Sequence, residues 1–118
     1  MPMEYTRNQT TPKPVTPSGA LPMLILRVLQ SSTLHGYAIA QRIHLLSCEV
    51  LGVEEGLLYP TLQKMLVKGW VTAEWGLTAG NRRARYYRLT ADGRKQLRTE
   101  MAQYRRVSDA IQKILQAV

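Results

Sequence analysis

Phenylalanine is absent from this chain of 118 residues and cysteine occurs once, at Cys48. Without Phe, the bulky core material has to come from Leu, Ile, Val, Met, Tyr and two Trp residues. One cysteine excludes an internal disulfide, and the stretch MPMEYTRNQTTPKPV has no apolar segment of the secretory kind, so a reducing cytoplasm is expected. Long hydrophobic runs are missing too. The longest, Leu21 to Leu26, falls far short of the roughly 20 apolar residues a membrane span needs, so no membrane partner is expected. Acidic residues are scarce: eight against sixteen Lys and Arg, for a formal net charge of +8. Between positions 82 and 106, nine basic side chains stand against two acidic ones, which is +7 and leaves only +1 for the remainder. A polyanionic partner meeting that segment is the simplest reason for so uneven a distribution.

At this length one module is expected. Residues 1–17 hold four of the six prolines and little apolar material, which predicts an irregular arm whose cations are Arg7 and Lys13. Residues 18–90 then form the globular part. Ser18 is placed to cap a helix over about 20–30, with Pro22 tolerated in its first turn and Leu21, Leu24, Ile25, Val28 and Leu29 on its inner side. A second helix is expected from near His35 to Leu46, inward at Ile39, Ile43 and Leu46. A connector at 47–53 follows, then a third helix over 54–68 with Leu58, Leu62, Met65 and Leu66 buried and Gly69 ending it. The opposite side of that helix carries Pro60, Gln63, Lys64 and Lys68, with Tyr59 and Thr61 at its margins.

The period then shifts from helical to alternating. Val71, Ala73 and Trp75 alternate with polar neighbours, as do Tyr87 and Leu89, which predicts a β-hairpin around the loop 76–85 with three arginines at its tip. Thr90 caps a final helix over 91–117. Within residues 91–118, Leu97, Met101, Tyr104, Ile111, Leu115 and Val118 follow steps of four and three, with Ser108 in the missing place. Such a heptad seam suits a dimer contact, although it can equally pack back on its own domain.

This order, mainly α with a small β-hairpin wing, is that of a winged helix-turn-helix followed by a long C-terminal dimerisation helix. In such modules the second helix of the helix-turn-helix enters the major groove, where Gln pairs with adenine and Lys donates to guanine. Gln63 and Lys64 suit that work, and wing arginines suit phosphates or a narrow minor groove. Three stretches together, LHGYAIAQRI (34–43), EEGLLYPTLQKMLVKGWVTAEWG (54–76) and RRARYYRLTADGRKQL (82–97), closely resemble the PadR family of bacterial transcriptional regulators, its shorter members with one C-terminal helix. The resemblance runs from Leu21 to Val118. It implies a homodimeric repressor on a palindromic operator, often near its own gene, with a small-molecule effector of unknown identity as a further partner. Carried over by position, residues 59–68 match the recognition helix and 81–85 the wing. The DNA-binding set is then Tyr59, Thr61, Gln63, Lys64, Lys68, Asn81, Arg82, Arg83 and Arg85. Multidrug-sensing relatives carry a Trp on the terminal helix, whereas this helix offers Tyr104.

Blander readings stand beside these. Tyr59 suits packing and phosphate contact equally. Trp70 and Trp75 are most simply core or interface aromatics, and Cys48 a buried or half-buried thiol, with redox sensing as its alternative role. His35, His44 and Cys48 complete neither a zinc site nor a nucleophile with its base, and no cofactor motif is present, so no enzyme and no cofactor are expected. The competing function is a protein-interaction adaptor that uses the same fold without DNA.

Overall fold

The computed structural model describes residues 12–17 and 19–117. The elements run α1 (Leu21–Leu29), β1 (Leu34–His35), α2 (Gly36–Leu46), α3 (Glu55–Val67), β2 (Val71–Leu77), β3 (Arg83–Leu89) and α4 (Ala91–Gln116). The strands form one antiparallel sheet in the order β1-β3-β2. Leu34 and His35 were expected to lead directly into a helix; instead they pair with Tyr87 and Tyr86, making a third strand too short to show alternation.

Each helix start has its own cause. Pro22 sits in the first turn of α1, where its missing N–H removes no bond, and Ala20 caps the backbone without a side-chain contact; the expected cap, Ser18, lies outside the described residues. α1 buries Leu21, Ile25, Leu26, Val28 and Leu29. Leu24 was expected inside and is only half-buried, because Leu26 takes the deeper place. His35 caps α2, its Nδ1 accepting from the Ala38 N–H at 3.3 Å. Ile39 and Ile43 face inward as expected, but Leu46 is exposed: the helix ends there and the chain turns away through Cys48 (φ 55°) and Glu49 (φ 67°). Cys48 is therefore exposed, where a buried or half-buried thiol was expected. The His44 ring instead bonds the Leu51 backbone oxygen through Nδ1 at 2.9 Å.

Pro60 is the sixth residue of α3, inside the helix. It removes one intrahelical bond, at a cost of about 3 kcal/mol. Burial of Leu58, Leu62 and Met65 contributes about 5–9 kcal/mol gross and prevails. Leu66 is half-buried. Gly69, at φ 78°, ends α3 in a Schellman turn, with the Gly69 N–H on Leu66 O (3.1 Å) and the Trp70 N–H on Met65 O (3.0 Å).

Thr90 ties the last helix to this junction. Its hydroxyl accepts from the Gly93 N–H (2.9 Å) and donates to Gly69 O (2.7 Å), while its own N–H reaches Trp70 O (3.1 Å). Leu97 and Met101 then pack on the shared core with α1, and Leu97 is only 1% exposed. The heptad seam is thus split. Its first member lies inside its own domain, whereas Tyr104, Ile111 and Leu115 stand in the open with Val107 and Ile114, and Val118 lies outside the described residues.

Candidate nucleic-acid interface

The sheet explains how arginines come to line a groove. Register pairs Val71 with Leu89, Ala73 with Tyr87, Trp75 with Arg85 and Leu77 with Arg83, so all eight side chains share one face. Near α4 that face is core: Val71, Tyr87 and Leu89 are buried. Toward the tip the same face passes out of the domain, and Trp75 is 61% exposed rather than buried. Arg83 and Arg85 therefore belong to β3 and not to the loop, which shortens to residues 78–82. Asn81 closes the turn in the left-handed region (φ 64°), its N–H on Thr78 O at 2.9 Å, and Arg82 follows it.

Trp75 organises the two strand arginines. The guanidinium carbon of Arg83 lies 4.9 Å and that of Arg85 5.9 Å from the ring centre, both within cation–π range. Arg85 is half-buried, and its Nε is buried with no hydrogen-bond partner. Beneath it, burial pushes the Tyr87 phenol above its ordinary 10.0, and the Arg85 charge pulls partly the other way.

Opposite this wall stand α2 and α3. A groove of about 790 Å³ is bounded by Tyr37, Gln41, Tyr59 and Gln63 on one side and by Trp75, Arg82, Arg83 and Arg85 on the other. Tyr59 is 44% exposed, yet its ring also covers Gly36: a β-carbon there would stand 2.7 Å from its hydroxyl oxygen. Tyr59 thus packs on α2 and still presents its ring to the groove. Thr61 differs, since its hydroxyl donates to Leu57 O at 2.8 Å within the helix and it is half-buried. Lys64 and Lys68 are exposed but do not line the groove. Lys68 leans over Trp70, its Nζ 5.0 Å from the ring. Tyr37 and Gln41 line the groove and were missed by sequence reasoning, whereas Trp75 was foreseen only as a core or interface aromatic. Tyr37 and Gln41 lie one helical turn apart, away from Ile39 and Ile43, and that spacing was their available signal.

A helix-turn-helix whose third helix faces a groove walled by a cationic hairpin is a winged-helix module. The chain belongs to the transcriptional regulator PadR-like family, whose model matches residues 25–99. Its fold is similar to that of a transcriptional regulator from Clostridium thermocellum, 24% identical, TM-score 0.74, over 80% of this chain and 92% of that one. A PadR family transcriptional regulator from Eggerthella lenta is 29% identical, TM-score 0.71, over 85% of each chain. A protein of Lysinibacillus sphaericus described as uncharacterized is 27% identical over 93 residues, 79% of this chain and 85% of its own length. The family is one of transcriptional regulators and not of enzymes. Among the described residues no helix is long and apolar enough to cross a membrane, and no three His, Cys, Asp or Glu side chains are grouped to hold a metal ion.

Proposed function

We propose that the protein is a homodimeric repressor that binds a palindromic operator on double-stranded DNA in the cytoplasm. The observation that carries this reading is the shared groove. Gln63 and Tyr59 on α3 face Arg82, Arg83 and Arg85 across it, so one surface offers a base-reading amide beside a phosphate-neutralising wall. Lys64 and Lys68, exposed on α3 outside that groove, add further phosphate contacts. The exposed apolar residues Tyr104, Ile111 and Leu115 supply the contact between copies, which sets two recognition helices one or two DNA turns apart, roughly 34–36 Å per turn. A small-molecule effector releases such a repressor only by binding one dimer geometry better than the other.

The test is fluorescence anisotropy with duplex DNA from upstream of the protein's own gene and with a scrambled duplex, across a salt series. The Arg82→Ala/Arg83→Ala/Arg85→Ala variant runs alongside. Preference for the upstream duplex, with a salt slope reduced by up to about 3 in the variant, supports the reading. Absence of binding at low salt overturns it in favour of the adaptor.

A further inference from the structure

Proline-rich as it is, the end of the arm has a built seat. The Val15 N–H donates to Val50 O (2.8 Å) and Val15 O accepts from the Gly52 N–H (3.0 Å), a parallel bridge onto the connector between α2 and α3. Pro14 lies on Gly52 so closely that a β-carbon there would stand 2.7 Å from the proline Cβ. The seat therefore requires both the bridge and a residue without a side chain.

This seating brings Lys13 to a second groove, of about 730 Å³, beside the N-terminal end of α3. Tyr37, Gln41 and Tyr59 line this groove and also the one walled by the wing, so the two adjoin across these three residues. Glu54 and Glu55 line the arm's groove as well, with the His44 ring behind. Two carboxylates at the end of a helix that approaches DNA repel phosphate, and an exposed lysine beside them offsets that charge.

We propose that residues 12–17 are a second DNA-contacting element, seated on Gly52 so that Lys13 meets a backbone phosphate across Tyr37, Gln41 and Tyr59 from the wing. The proposal rests on the DNA-binding reading above. The interface is then three-part, with arm and wing flanking the recognition helix. Lys13 contributes affinity and salt dependence without base preference, as a phosphate contact does.

The test uses the full chain and the same upstream and scrambled duplexes, with Lys13→Ala, Lys13→Arg, Gly52→Ala and Lys13→Ala/Gly52→Ala. Counterion release by one phosphate contact corresponds to a slope change near 0.9, about eightfold in affinity at 0.1 M salt. Lys13→Ala is expected to show that loss equally on both duplexes, and Lys13→Arg to keep most of the binding. Gly52→Ala displaces the seat and is expected to reproduce part of the loss, with the double variant no weaker than Lys13→Ala. Should Gly52→Ala fail to fold, Val15→Pro, which deletes the N–H to Val50 O, takes its place. An unchanged slope in Lys13→Ala, while the wing variant loses its own, overturns the arm and leaves the DNA reading intact. Absence of binding by the unaltered protein overturns both.

Discussion

The phenol of Tyr59 covers the backbone of Gly36, so α3 rests directly on the first residue of α2. A methyl at Gly36 would overlap the ring, and the ring is also a wall of the groove between α3 and the hairpin. Gly36→Ala is expected to lose about 1–3 kcal/mol of stability, as overpacking does, because Tyr59 must swing outward. In a urea series, adding Tyr59→Leu should recover part of that loss. Strict additivity of the two substitutions would show that they do not meet.

Trp75 holds two guanidinium groups on one ring, which fixes both arginines on the groove wall. Two cation–π contacts on an exposed ring amount to about 1–2 kcal/mol. Trp75→Leu should therefore weaken DNA binding by about 5- to 30-fold with little change in salt slope, since both charges remain. Trp75→Phe is expected to restore most of the affinity. A slope that drops with Trp75→Leu would mean the arginines leave the phosphates altogether.

Gly93 occupies the first turn of α4, where helix propensity alone favours alanine by about 1 kcal/mol. Its environment reverses that sign. A β-carbon there would run into the Trp70 carbonyl, which is backbone and is held by the Thr90 N–H. Gly93→Ala should cost about 3 kcal/mol or more, read as a lowered urea midpoint at unchanged m-value; an increase in the midpoint would refute the close approach.

The two ends of the C-terminal seam should separate under mutation. Leu97 is core, so Leu97→Ala is expected to lose about 2–5 kcal/mol of stability. Leu115 is 69% exposed, so Ile111→Glu/Leu115→Glu should leave the unfolding of the domain nearly unchanged and shift sedimentation from dimer to monomer. Sedimentation of the unaltered protein as a monomer at all concentrations would remove the dimer from the proposed mechanism.

Short-range chemistry accounts for what could be foreseen. Helical spacing of Ile39 and Ile43 and of Leu58, Leu62 and Met65, the alternation of Tyr87 and Leu89, the Gly69 stop and the Thr90 cap each act within a few residues, so their effect is written in the local chain. The same holds for the order of elements and, with the combined motifs, for the family. Long-range contacts decided the rest. β1 exists only because β3 offers it a ladder, Trp75 faces outward because the sheet outruns the core beneath it, and Arg83 and Arg85 become a wall because Tyr37 and Tyr59 stand opposite. The seam divides at Met101 because Leu97 and Met101 pack on the shared core whereas Tyr104, Ile111 and Leu115 stand exposed, and the arm finds a seat because Gly52 leaves room for Pro14. Period tells which residues share a face; only packing between distant segments tells what that face meets, since burial depends on neighbours that local spacing does not name.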